Sequence, residues 1–248
     1  MVQQSSKTEI IGRLQKEIHL LQGFRPGAIG TTGNVGLGIV EAAFPNSVFP
    51  KSAIHEFLTI KPEHAAACKG FVAGILHSLM KQGGACLWIS TSRTLFPPAL
   101  KIFGVEPHRI IFIDLQREKD ILWAMEEALK CEGLAAVIAE VREINLTASR
   151  RLQLAVEKSG VTGLVLRNDA RSLSTTACVA RWRITAIESR LEDGMPGVGF
   201  PRWNVELLKV RNGNPGKWDI EWSAGKFNLL IKNISTINEN LADKRNVG

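Results

Sequence analysis

VFPKSAIHEFLTIKPEHAAACKGFVAG, residues 48–74, is the stretch whose reading decides the fold. Phe49-Pro50 reads as a turn, Ala53–Leu58 as an apolar strand, and the residues from Ala65 as a helix. In a nucleotide-binding α/β domain, a first strand, loop and helix form the phosphate cradle. That cradle needs glycines, so that backbone N–H groups can close on phosphate. It then needs a Lys and a Ser or Thr for the β/γ-phosphates and Mg²⁺. Here the loop Thr59–His64 has no Gly. Pro62 removes a backbone donor and Glu63 repels phosphate. Lys69 is followed by Gly70 rather than by a hydroxyl residue. Thr59, Lys61 and Lys69 therefore mark a degenerate phosphate loop, with the architecture kept and the chemistry missing.

Downstream, the same unit recurs. Strand Ala85–Ser90 leads to helix Thr94–Phe103, with Pro97-Pro98 in its opening turn. Strand Ile110–Leu115 leads to helix Glu118–Cys131, strand Leu134–Val141 to helix Thr147–Lys158, and strand Val161–Leu166 follows. Continuous apolar strands alternating with helices predict an α/β fold, a mostly parallel sheet covered on both faces. After Arg167 the helical spacers stop. Cys178–Ile187, Trp203–Arg211 and Lys217–Trp222 alternate in polarity, and Asn212–Gly216 is a turn cluster. These predict antiparallel C-terminal strands that extend the sheet.

Upstream, residues 6–22 predict a helix. Ser6 and Glu9 make a capping-box pattern, and Ile11, Leu14, Ile18 and Leu21 form one apolar stripe. Residues 23–38 hold six glycines and read as a linker. Residues 226–248 are polar and Asn-rich, with Leu230, Ile234, Ile237 and Leu241 at helical spacing. The expected organisation is residues 1–35 as helix and linker, 36–225 as core, and 226–248 as tail.

Composition narrows the function classes. Hydrophobic residues make up 45% and charged residues 22%, as in ordinary globular proteins. No apolar run reaches the roughly 18 residues of a membrane span. The N-terminus lacks a signal-peptide apolar region, so the expected location is the cytoplasm, with nucleoid association. Net charge is +7, which favours acidic partners, nucleic acid among them. Cys68, Cys86, Cys131 and Cys178 lie far apart with no C-x-x-C, and the five histidines include no H-E-x-x-H. Buried reduced thiols and no metal site are expected.

Ligands of open α/β sheets bind at the carboxyl ends of the strands. Those ends carry Ser90, Asp114, Glu140 and Arg167. Glu140 ends an apolar run, the placement of a Mg²⁺-linked acid in P-loop ATPases, and its alternative is a pair with Arg142, Arg150 or Arg167. Asp114 is a candidate cap for the following helix. No G-x-S-x-G occurs, so no catalytic constellation is expected. Between Arg142 and Arg211 stand ten arginines and two lysines against seven acids. Arg181 and Arg183 flank Trp182, Arg202 precedes Trp203, and Lys209 and Arg211 face one way. Arg with Trp suits DNA contact or a protein interface, while the tryptophans also suit sheet packing.

With these residues in view, the chain resembles a known family. The run 36–57, GLGIVEAAFPNSVFPKSAIHEF, looks like the lead-in to a RecA-type core. The stretches ILWAMEEALKCEGLAAVIAEV (121–141), LTASRRLQLAVEKSGVTGLVLR (146–167), ARWRITA (180–186) and PRWNVELLKVRNGNPGKWDIEW (201–222) resemble the ImuA family of error-prone repair accessory proteins. The resemblance covers about residues 36–222 and implies a RecA-like fold without a working ATP site. It places the degenerate Walker A site at Thr59–Lys69 and the Walker B acid at Glu140. It implies a non-catalytic role, without cofactor, in SOS-induced translesion synthesis beside an ImuB-like protein, RecA and an error-prone DNA polymerase. The family is also similar to SulA-type division inhibitors. A DNA-dependent ATPase and a SulA-like inhibitor are the alternative readings. The stripe Ile11, Leu14, Ile18 and Leu21 would dock on RecA or a second copy. The bases Arg181, Arg183, Arg202, Lys209 and Arg211 would meet a partner or DNA.

Overall fold

The computed structural model describes residues 34–168, 173–190 and 199–230. The predicted helix 6–22, with its stripe Ile11, Leu14, Ile18 and Leu21, lies outside the described residues, as does the tail beyond Leu230. A short 3-10 helix, Gly38–Ala43, and a turn, Pro45–Ser47, lead into β1 (Ile54–Thr59). There follow α1 (Glu63–Leu79), β2 (Ala85–Ser90), a 3-10 helix (Pro97–Phe103), β3 (Ile110–Asp114), α2 (Glu118–Leu129), β4 (Leu134–Val141), α3 (Leu146–Ser159) and β5 (Thr162–Asn168). The chain then forms β6 (Ala180–Arg190), β7 (Phe200–Val210), β8 (Gly216–Ser223) and β9 (Lys226–Leu229).

All nine described strands join one sheet in the order β3-β2-β4-β5-β1-β6-β7-β8-β9. Pairing is parallel from β3 to β6 and antiparallel from β6 to β9. The α/β reading holds, with one refinement. The first strand after the helical spacers, β6, runs parallel to β1, with His55 opposite Ala180. Parallel neighbours need a long crossover, usually a helix. Here the β5–β6 crossover includes residues 173–178, which carry no regular secondary structure.

The core lies on both faces of the sheet. One cluster packs α1 and the 3-10 helices against Phe57, Trp182, Trp203 and Trp222. The other packs α2 and α3 against Ile54, Val137 and Val165. Trp182, Trp203 and Trp222 are buried, so these tryptophans are packing residues. A Cβ on Gly74 of α1 would lie 2.4 Å from Phe227 Cζ, so the helix rests directly on the aromatic layer.

Two local predictions change. Residues 97–103 form a 3-10 helix rather than the opening α-helix, because two prolines remove donors at its start and Gly104 ends it after seven residues. The stretch from residue 226, expected as a polar tail, opens with β9. Ala224 and Gly225 both have positive φ, 52° and 71°, which makes a two-residue hairpin and turns the chain back onto β8. Among the described residues no helix is long and apolar enough to cross a membrane.

Candidate functional site

The carboxyl end of β1 presents the degenerate loop. Lys61 and Glu63 are both exposed and lie 3.8 Å apart. α1 begins at Glu63 with no side-chain cap. A carboxylate thus stands at the helix N-terminus, where a phosphate cradle would present bare N–H groups. Lys69 sits on the second turn of α1 and points inward. Its ammonium lies 2.9 Å from Glu140 Oε2, with both side chains 8% exposed. It also donates to Thr94 Oγ1.

Glu140 is saturated from other directions. Trp88 Nε1 donates to Oε1 at 2.7 Å, and Asn168 Nδ2 to Oε2 at 3.1 Å. The network joins β2, β4, β5, α1 and the loop after β2. A buried ion pair is tolerated only where further hydrogen bonds complete it, and this one has them. The expected partners of Glu140 were Arg142, Arg150 or Arg167; the partner is Lys69, because the parallel order brings α1 over the end of β4. Asp114 does not cap α2 but pairs with Arg93 at 2.6 Å.

A second polar cluster lies on the opposite face of β1. Glu56 is fully buried, and a buried carboxylate must be paired. It accepts from Arg167 Nη1 at 2.8 Å, Arg181 Nε at 2.8 Å and Thr176 Oγ1 at 2.9 Å. Thr176 belongs to the crossover strap 173–178. An extended strap makes few bonds within itself, so its carbonyls need outside donors. Arg181 Nη2 donates to Ser174 O at 2.5 Å, Lys209 Nζ to Thr176 O at 3.1 Å, and Arg211 Nη2 to Ala177 O at 2.9 Å.

The bases expected to meet a partner or DNA also have partners within the chain. Arg181 is 11% exposed, and Arg181, Lys209 and Arg211 hold the strap. Arg183 pairs with Glu206 at 2.9 Å and Arg202 with Glu221 at 2.6 Å. Glu56, Trp88 and Thr94 were missed as site residues. Only Glu56 carried a signal: a charge inside the apolar run IHEFL of a central strand requires a partner.

His55, on the other face of β1, stacks on Phe49 with ring centroids 4.2 Å apart. Its Nε2–H donates to Pro50 O at 2.7 Å, and its Nδ1 accepts from Trp182 Nε1 at 3.4 Å. Burial pushes its pKa down to about 4, so the ring is neutral at physiological pH. Burial raises the thiols of Cys68, Cys86 and Cys178 to about 12. Among the described residues no group of His, Cys, Asp and Glu could hold a metal.

No family model matches the chain. Protein ImuA of Caulobacter vibrioides strain NA1000 / CB15N is 35% identical over 194 residues, covering 73% of this chain and 80% of the relative. Protein ImuA of Caulobacter vibrioides strain ATCC 19089 / CIP 103742 / CB 15 matches with the same figures. Among solved structures, the RadB recombinase superposes with a TM-score of 0.55 at 13% identity, covering 81% of this chain and all of that one. The likeness to RadB concerns the fold: a RecA-like core with antiparallel C-terminal strands.

Proposed function

The chain belongs to the ImuA family, and from that premise we propose that it is a non-catalytic accessory protein of error-prone DNA repair. One observation carries the non-catalytic part. The lysine and the acid that would serve a nucleotide are bonded to each other, at 2.9 Å, inside the core. A Mg²⁺–nucleotide would have to break that pair, desolvate Glu63 and bind without a glycine loop. The core then acts as a platform in SOS-induced translesion synthesis, engaging an ImuB-like protein, RecA or both, beside an error-prone polymerase. The surface offered to them is the apolar stripe Ile11, Leu14, Ile18 and Leu21, since most of the strand bases have internal partners.

The test is affinity capture of the full chain from DNA-damaged cells, with wild type compared against Leu14→Asp/Ile18→Asp. The expected result is recovery of an ImuB-like protein or RecA with wild type and its loss with the variant. Recovery of a filament-forming division protein instead would favour the SulA-like reading. Saturable ATP binding that Lys69→Met abolishes would restore the ATPase.

A further inference from the structure

α2 and α3 pack side by side on one face of the sheet. They run the same way, because each returns the chain between parallel strands. Arg151 Nη2 of α3 and Glu126 Oε2 of α2 tie them together at 2.7 Å. Trp123 on α2 is 63% exposed and Leu154 on α3 is 59% exposed. One bare apolar side chain is ordinary, but two large ones on neighbouring helices call for a reason.

On a helix, positions three and four apart share a side. Lys119, Trp123 and Glu126 therefore form one stripe of α2, and Arg151, Leu154 and Lys158 one stripe of α3. The ion pair joins the two stripes, so both border the groove between the helices. Trp123 lies three residues before the pair and Leu154 three after it. At ordinary rise and helix spacing the two are roughly 13 Å apart. Lys119 and Lys158 lie a turn further out at opposite ends. The groove thus runs base, apolar, ion pair, apolar, base.

The charges on this face do not cancel locally. Each acid of α2 has a cation: Glu118 meets Arg142 at 4.0 Å, Asp120 Arg117 at 2.6 Å, Glu126 Arg151, and Glu127 Lys130 at 2.6 Å. Glu157, on the side of α3 turned from α2, accepts from Gln153. Lys119, Arg150 and Lys158 are exposed, and among the described residues none of them forms an ion pair. The uncompensated groups beside Trp123 and Leu154 are therefore all positive.

We propose that the α2–α3 groove is a docking site for an acidic amphipathic helix of a partner protein. A groove between two helices accepts the ridge of a third, whose apolar side would cover Trp123 and Leu154. Carboxylates near its two ends would meet Lys119 and Lys158. A second copy of this chain fits badly, because two-fold pairing would set the unpaired bases against one another. A nucleic acid fits badly too, because its evenly spaced phosphates would pass over Glu126 and Glu127. The proposal goes beyond the accessory role and does not rest on it.

The probe is a synthetic helical peptide of about 16 residues, with Leu at i, i+4, i+7 and i+11 and Glu only near its ends. A counterpart carries Lys in place of Glu. Fluorescence anisotropy measures binding of each to the full chain, with no repair protein present. The Glu peptide is expected to bind about tenfold or more tightly than the Lys peptide. Trp123→Ser/Leu154→Ser is expected to weaken it about tenfold or more. Ile111→Ser, which removes an exposed apolar residue of β3, should leave it unchanged. Lys119→Glu/Lys158→Glu is expected to reverse the preference, so that the Lys peptide binds better; a misfolded chain would show no such switch. Equal binding of both peptides by wild type overturns the proposal, as does unchanged binding by the groove variants. Tighter binding of a single-stranded oligonucleotide through the same residues, or self-association that Trp123→Ser/Leu154→Ser abolishes, overturns it in favour of the other occupants.

Discussion

At the scale of the residue, buried polar groups set the behaviour. Lys69 and Glu140 leave no free charge because each completes the other. Lys69→Met alone leaves Glu140 buried without its cation and is expected to cost about 3 kcal/mol or more. The double variant Lys69→Met/Glu140→Gln is expected to recover part of that loss. Urea denaturation of these two variants and of Glu140→Gln alone measures the coupling, and strictly additive losses would refute a direct pair. His55 makes a pH prediction. Its folded pKa of about 4 lies below the ordinary 6.5, so between those values the unfolded chain binds the extra proton. This contribution is complete above pH 6.5 and is lost as pH falls toward 4, on the order of 3 kcal/mol in all. His55→Phe keeps a ring against Phe49 and removes the titration. Stability of the variant should fall less over that window than stability of wild type.

At the scale of the element, the strap 173–178, the described part of the β5–β6 crossover, depends on donors from other strands. Arg181→Ala removes the bonds to Glu56 and to Ser174 O together and is expected to destabilise by about 2–4 kcal/mol. Arg183→Ala breaks a half-exposed pair with Glu206 and is expected to cost no more than about 1 kcal/mol. Similar losses in chemical denaturation would mean that Arg181 has no special structural role. α1 rests on the aromatic layer through Gly74. Gly74→Ala gains about 1 kcal/mol of helix propensity but drives a methyl to within 2.4 Å of Phe227. A net loss of about 1–2 kcal/mol is expected from the overpacking. Gly70→Ala, where the closest contact is 3.1 Å from Phe103, should be milder. Thermal unfolding ranks the two.

At the scale of the molecule, a ligand that binds only the folded state raises the melting temperature, by an amount that grows with the logarithm of its concentration over Kd. Mg²⁺–ATP at millimolar concentration is expected to leave the midpoint of this chain unchanged, because its phosphate site holds an internal ion pair. A clear upward shift, abolished by Glu140→Gln, would contradict that. The +7 charge bears on the same scale. Arginines that look like a nucleic-acid surface in the linear chain are largely paired or strap-bound, so net charge alone is a poor guide to a DNA site here.

The sequence by itself determined the alternation of strands and helices from residue 53 to 168, the change to strands without helical spacers after it, and the absence of a Gly-Lys-Ser/Thr loop after the first strand. Those follow from local signals: apolar runs, helical spacing, glycine stops and the missing Gly-Lys-Ser/Thr. The family was legible too, in the distinctive stretches between residues 121 and 222. The tertiary structure alone decided that Lys69 meets Glu140, that Glu56 is a hub, and that Arg181, Lys209 and Arg211 hold a strap. Their partners lie from 25 to 125 residues away, or on the carbonyls of a segment with no periodicity to announce it. Side-chain pairing across a sheet depends on strand order, and strand order is not written in any one strand.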